Sequence, residues 1–300
     1  MAIDEETRAY LAKAAQSRGG RPLHELTPGE ARAARTFLQE LVDKGPEMAR
    51  TEEVTIGAFK SRLFVPQGEP RGMLVWFHGG GWVLGSLEES DTLGRMLAKE
   101  LSMQVLVAGY RLAPEHRFPT AVEDAWAAVE WAAPRASGPL VVGGDSAGGN
   151  LAAVTSLRAR DRQGPRIALQ ILVYPVVDAR LDRPSYLDKE NALALTQEGM
   201  KWFWNHYAPD PAQRLLPEAS PLRAGDFSRL PPAVVLTAEH DVLRDEGEAY
   251  AQALVGAGVP VAFKRFERQV HTFFTLVNAL PASMDGLRFV ARAASALLAN

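Results

Sequence analysis

The chain has 300 residues, 47% of them hydrophobic, with 33 basic and 36 acidic side chains and a formal net charge of −3. That length suits one large α/β domain or two small ones, and the slight acidity argues against nucleic acid or an anionic membrane as partner, since both select basic patches. There is no cysteine, which excludes disulfides, a thiol nucleophile and thiolate-bound metal, and fits a reducing compartment.

The opening Met1-Ala2-Ile3-Asp4-Glu5-Glu6 is acidic where a secretion signal is basic. The longest apolar runs, such as Met73–Phe77, are far too short to span a bilayer. A soluble, cytoplasmic protein is expected. Glu5–Ala15 reads as helix, and Arg18-Gly19-Gly20-Arg21-Pro22 breaks it. Thr27-Pro28-Gly29-Glu30 opens a second helix, with a capping threonine, a proline at the first helical position and an acid three residues after the cap.

From Thr51 the character changes. Val54 and Ile56, then Leu63–Val65, flank Lys60-Ser61 and suggest an antiparallel pair. Short apolar runs follow at Met73–Phe77, Val105–Ala108, Leu140–Val142, Ala168–Tyr174, Ala233–Leu236 and Val261–Phe266. Helical candidates alternate with them at Leu87–Leu101, Thr120–Ala133, Ala147–Arg160 and Arg244–Ala257, and Met284–Leu298 follows the last run. Buried strands alternating with helices imply a mostly parallel sheet with helices on both faces. Between Asp178 and Pro231 no good strand appears, and the aromatic cluster Trp202, Phe203, Trp204, Tyr207 lies there. An excursion of that size carries its own helices. The expected organisation is a pair of N-terminal cap helices over 1–47, a catalytic domain over 48–177 and 231–300, and a cap insertion over 178–230.

Ligands of parallel sheets sit beyond the C-terminal strand ends, so the residues after each strand are the informative ones. Met73–Phe77 is followed by His78-Gly79-Gly80-Gly81-Trp82, and Leu140–Val142 by Gly144-Asp145-Ser146-Ala147-Gly148. Ala233–Leu236 is followed by Glu239-His240-Asp241, and Val261–Phe266 by His271. Gly-x-Ser-x-Gly alone is weak, since it arises by chance in roughly one chain in ten of this size at ordinary glycine usage. Placed between a buried strand and a helix, it presents the serine on a sharp turn. The order Ser146, Asp241, His271 is that of an α/β-hydrolase. His271 is then the base, Asp241 the acid that orients it, and the N–H groups of Gly79, Gly80 and Ala147 the oxyanion hole. Asp178 and Asp245 are rival acids, and Asp241 could serve merely as a helix cap. Trp82 and Leu84 are candidate substrate contacts, while the Trp202–Tyr207 cluster reads first as cap core.

His78–Trp82, Gly144–Gly149, Tyr110-Arg111-Leu112-Ala113-Pro114-Glu115 and Asp241-Val242-Leu243-Arg244-Asp245-Glu246 together resemble the hormone-sensitive-lipase family (family IV) of bacterial and archaeal carboxylesterases. The resemblance runs from about Glu52 to His271. It implies an α/β-hydrolase fold with a helical cap, a triad of Ser146, Asp241 and His271, oxyanion glycines at Gly79 and Gly80, and hydrolysis of short-to-medium acyl esters with no metal or organic cofactor. Family members often have glycine after the catalytic histidine, where this chain has Thr272, and an acid before the Tyr-Arg-Leu-Ala-Pro-Glu run, where it has Gly109. Arg111 and Glu115 are expected to tie loops near the oxyanion strand.

Carboxylesterase is therefore the leading function, with a small-molecule ester as partner. The alternatives are an amidase or other acyl hydrolase on the same triad, and a non-catalytic small-ligand receptor of the same fold. The apolar stripe Phe289, Ala293, Leu297 admits a homodimer contact, though packing on the chain's own sheet is the simpler reading.

Overall fold

The computed structural model describes residues 3–41 and 44–299, so Met1, Ala2 and positions 42 and 43 of the expected N-terminal segment lie outside the described residues. Eight strands, β1 (Arg50–Ile56), β2 (Phe59–Val65), β3 (Met73–Phe77), β4 (Gln104–Ala108), β5 (Leu140–Asp145), β6 (Ile167–Val173), β7 (Ala233–His240) and β8 (Val261–Val270), form one sheet in the order β1-β2-β4-β3-β5-β6-β7-β8. β2 is antiparallel to both of its neighbours, β1 and β4, and every other pairing is parallel.

The helices, in chain order, are α1 (Glu5–Ser17), α2 (Pro28–Ala33), α3 (Leu38–Leu41), α4 (Asp91–Leu101), α5 (Thr120–Ala132), α6 (Ala147–Asp161), α7 (Pro184–Leu187), α8 (Gln197–Tyr207), α9 (Pro211–Arg214), α10 (Arg244–Gly256) and α11 (Pro281–Leu298). β3 shows why the strands read as unbroken apolar runs. All five of its residues are buried, yet Met73, Val75 and Phe77 join the layer of α5, α6 and α10, while Leu74 and Trp76 join the layer of α4 and α11. The two-residue alternation survives as a choice of layer, because water reaches neither face. Each large apolar side chain buried this way contributes about 1.5–3 kcal/mol.

Local signals set several boundaries. Thr27 and Glu30 form a reciprocal capping box, Glu30 N–H donating to Thr27 Oγ1 and Thr27 N–H to Glu30 Oε2. Several boundaries differ from the sequence reading: β5, β7 and β8 run on to Asp145, His240 and Val270, and α11 begins at Pro281. The β1–β2 hairpin turns at Gly57-Ala58, where Gly57 has φ +57°, and Lys60-Ser61 lie inside β2. α4 starts at Asp91 rather than Leu87; residues 87–90 form a turn in which Glu88 pairs with Arg62 and Glu89 with Arg35. Phe289, Ala293 and Leu297 of α11 pack against the sheet layer they share with α4.

Between Val173 and Ala233 the described chain forms only helices and turns, α7 to α9 among them. α8 packs its aromatic face inward, and Trp202 Nε1 donates to the Leu26 carbonyl of the N-terminal segment at 3.0 Å. The two segments thus join each other above the strand ends. No helix among the described residues is long and apolar enough to cross a membrane.

Candidate active site

β5 ends at Asp145 and α6 begins at Ala147, so Ser146 is the entire turn between them. It holds φ +55° and ψ −117°, a conformation that L side chains rarely adopt. Its backbone is over-determined. The N–H donates to Val173 O at 2.9 Å, and the carbonyl accepts from Asn150 and Val176 N–H at 3.0 and 3.1 Å. The flanking glycines are required by contact: a Cβ on Gly144 would overlap the Gly148 backbone, and one on Gly148 would overlap the Phe77 carbonyl.

β8 ends one residue before His271 and β7 one residue before Asp241. His271 Nδ1–H donates to Asp241 Oδ2 at 2.7 Å, and Ser146 Oγ lies 3.0 Å from His271 Nε2. The carboxylate fixes the tautomer, since it can only accept, and leaves Nε2 to receive the serine proton. Asp241 is fully buried, and its other oxygen accepts from Leu243 N–H at 2.9 Å. That second bond closes a turn ahead of α10, whose N-cap is Leu243 and carries no side-chain bond, so Asp241 does not cap the helix. The rival acids are committed elsewhere: Asp178 pairs with Arg183 and Arg223, and Asp245 accepts from Ser185 N–H.

The oxyanion loop departs from the sequence reading at its first glycine. Gly79 N–H donates to Asp145 Oδ1 at 3.1 Å, and a Cβ there would overlap the same carboxylate. Gly79 is therefore engaged in holding the loop. The N–H groups of Gly80, Gly81 and Ala147 make no protein hydrogen bond among the described residues. Gly80 and Gly81, at φ +111° and +59°, line the cavity beside Ser146. Burial raises the Asp145 carboxyl to about 6, a rise opposed by the Gly79 N–H and by His271 and Arg35.

Trp82 also departs from its expected place. Its ring is fully buried, stacks on Tyr207 with centroids 4.1 Å apart and planes 7° from parallel, and packs on Trp204. It belongs to the joint between oxyanion loop and α8, outside the cavity, because three successive left-handed residues (Gly80 to Trp82) reverse the chain there. Leu84 does line the cavity. So does Phe203, alone of the four cluster aromatics; Trp202, Trp204 and Tyr207 are packing residues.

The motif Tyr110–Glu115 braces this loop from beneath. Tyr110 hydroxyl donates to the His78 carbonyl at 2.8 Å and its ring stacks on the His78 imidazole. Arg111 pairs with Asp124 of α5, and Glu115 with Arg32 of α2, so the two do not tie the same loops. Arg32 also donates to the carbonyls of Val83 and Ala113, both at 2.9 Å. No sequence signal singled out Arg32, because an arginine on a surface helix resembles any solvated one.

The cavity is about 240 Å³ and reaches Ser146 and His271. α1 and the segment after it supply one wall (Ala14, Ser17, Arg18, Leu23), and Leu195, Met200 and Phe203 the opposite one. Among the described residues, no group of three or more His, Asp or Glu side chains is placed to hold a metal ion.

Comparison with known proteins agrees with this architecture. A family model described as alpha/beta hydrolase fold matches residues 74–275. The chain is 35% identical to an ethyl acetate hydrolase of Pseudomonas putida over 98% of both chains. It is 42% identical to the carboxylic ester hydrolase LipN of Mycobacterium tuberculosis over 77% of this chain and 65% of that protein, just under two thirds of the relative's length. Among solved structures, a hyperthermophilic esterase of the archaeon Pyrobaculum calidifontis superposes with a TM-score of 0.90 at 36% identity, covering 99% of this chain and all of that one.

Proposed function

The chain belongs to the α/β-hydrolase family, within its hormone-sensitive-lipase-like group of serine carboxylesterases, and from that premise we propose that it hydrolyses short-to-medium acyl esters through Ser146, His271 and Asp241. The observation that carries this reading is the unbroken relay of 2.7 and 3.0 Å from Asp241 through His271 to Ser146.

In the first half-reaction Ser146 Oγ bonds to the acyl carbon while its proton passes to His271 Nε2. The carbonyl π electrons move onto oxygen, which takes hydrogen bonds from Gly80, Gly81 and Ala147 N–H. Each such donor is worth roughly 3–4 kcal/mol at the transition state, because it is already oriented and shielded from water. Asp241 stabilises the imidazolium. Collapse breaks the bond to the alcohol oxygen, which leaves with the proton from His271, and an acyl-Ser146 ester remains. Water, deprotonated by His271, adds to the acyl carbon; collapse breaks the bond to Ser146 Oγ, which takes the proton back from His271, and the acid leaves.

Residues 3–41 and 178–230 act as a cap in this reading, and they limit the substrate by closing a cavity of about 240 Å³. The test is a series of p-nitrophenyl esters from acetyl to dodecanoyl, with Ser146→Ala as control and an organophosphonate as label. Activity is expected to peak on the short members and to vanish in Ser146→Ala, and the label to attach at Ser146. Best activity on long-chain triglycerides, or turnover surviving in Ser146→Ala, overturns it.

A further inference from the structure

Thr272 follows His271 directly and holds φ +77° and ψ −5°. This is an outlier for a β-branched residue, whose Cβ crowds the backbone in left-handed geometry. Such strain persists only where neighbouring contacts hold it. The Thr272 carbonyl accepts from Thr275 N–H at 3.1 Å and from the Thr275 hydroxyl at 3.0 Å, bonds that a glycine would make equally well. The side chain adds one further bond: Oγ1 lies 3.2 Å from the Tyr10 hydroxyl.

Tyr10 sits in the middle of α1, and its ring stacks on Phe37 with centroids 6.5 Å apart. The same helix is tied to the end of β8 a second time, where Gln269 Nε2 donates to Asp4 Oδ2 at 3.1 Å. The other Asp4 oxygen accepts from Thr7 N–H and caps α1. Farther along, Ala14 and Ser17 of α1 and its C-cap residue Arg18 face the cavity, as does Thr272 itself. One helix therefore forms a substrate wall on one stretch and grips the histidine turn on another.

On the reading of Ser146, His271 and Asp241 as the reacting set, we propose that Tyr10 is a positioning residue. Through the Thr272 hydroxyl it registers α1 against the turn that carries His271, so the length of the substrate chain sets kcat as well as KM. A short chain leaves α1 seated and the Ser146–His271 contact intact. A long one presses on Ala14, Ser17 and Arg18, and the displacement passes at Thr272 to the imidazole. Proton transfer is sensitive to this, since it requires hydrogen-bond distance in the transition state.

The test measures kcat and KM separately for p-nitrophenyl esters from acetyl to decanoyl in the wild type, Tyr10→Phe, Thr272→Gly, Thr272→Ser and the double variant Y10F/T272G. In the wild type kcat is expected to fall with chain length. Tyr10→Phe and Thr272→Gly should each flatten that fall, raising the long-to-short kcat ratio about threefold to tenfold, as the loss of one hydrogen bond allows. The double variant should go no further, and Thr272→Ser, which keeps the hydroxyl, should restore most of the wild-type dependence. Thermal melting checks that each variant is folded. A wild-type kcat independent of chain length, an unchanged ratio in both single variants, or additive effects in the double variant overturns the coupling. Phosphonate labelling separates the two levels: variants that label at Ser146 but keep the wild-type ratio refute only the role of Tyr10, whereas an unlabelled wild type refutes the triad.

Discussion

Asp145 accepts a hydrogen bond from the Gly79 N–H at 3.1 Å, so the residue before the proposed nucleophile holds the loop that bears the proposed oxyanion donors. Asp145→Ala should lower kcat about tenfold or more, with little change in KM, because a loop free to shift loses donor alignment that matters only in the transition state. Asp145→Asn keeps an acceptor oxygen and should retain most of kcat. Burial pushes the Asp145 carboxyl up to about 6, but the protonated acid keeps an acceptor oxygen for Gly79 N–H just as Asn does, so the acidic limb of kcat should be the same in the wild type and in Asp145→Asn. Full pH–kcat profiles of the three proteins check this.

Asp241→Asn should cost several orders of magnitude in kcat while the protein melts normally, because Leu243 N–H holds the one acceptor oxygen and the amide NH2 then faces His271 Nδ1, favouring the wrong tautomer; analogous substitutions cost about 10⁴. Asp245→Asn should cost far less, since Asp245 accepts from Ser185 N–H and pairs with Arg244 rather than reaching the imidazole. Paired kinetics on one ester decide it. A larger loss in Asp245→Asn would reverse the assignment of the acid.

Phe203 fills the space beside Gly81, where a Cβ would overlap its ring, and it borders the cavity. Phe203→Ala should move the preferred acyl length upward by several carbons. It should also destabilise the fold by roughly 2–3 kcal/mol, less than a fully enclosed core phenylalanine because part of the ring already faces the cavity. A chain-length profile beside a denaturant titration measures both.

Glu246 is fully buried, accepts from Val177 and Asp178 N–H and from the Tyr186 hydroxyl, and is pushed up to about 8 by that burial. Its folded pKa lies above its unfolded one, so between the two the native state holds the proton and the unfolded chain has released it. The associated stability is fully present below pH 4.5, the ordinary glutamate value, and is lost as pH rises through about 8. Glu246→Gln keeps the acceptor oxygen and removes the titration. Its melting temperature should gain on the wild type by roughly 5 °C between pH 6 and pH 9. A constant difference across that range would show that Glu246 does not titrate there.

The frame of the sheet and the three residues proposed to react were legible because each rests on a local pattern. β3, β5, β7 and β8 are short apolar runs, and Ser146, Asp241 and His271 stand at or just past strand ends, where parallel sheets expose their side chains. What local pattern could not carry was side-chain commitment. Gly79 and Gly81 are identical as letters, and only the carboxylate of Asp145 tells which N–H is engaged. Trp82 resembled a pocket aromatic, but its placement follows from left-handed backbone that no periodicity reports. Arg32 and Tyr10 act on loops far away in sequence. Phe203 differs from Trp202 and Trp204 only in which way α8 turns its face.

The Ser146–His271 contact spans 125 positions and the Tyr10–Thr272 contact 262. Contacts this distant form only after the chain between them is in place, since the entropy of closing the loop must be met first. His271 arrives with the edge strand β8, which has nothing to pair with until β7 is laid down. On the proposed chemistry, Ser146 is therefore expected to become reactive only once β8 has brought His271 to it. The rate at which a refolding sample becomes sensitive to phosphonate is therefore a clock for the final assembly step, stricter than any spectroscopic signal from the sheet.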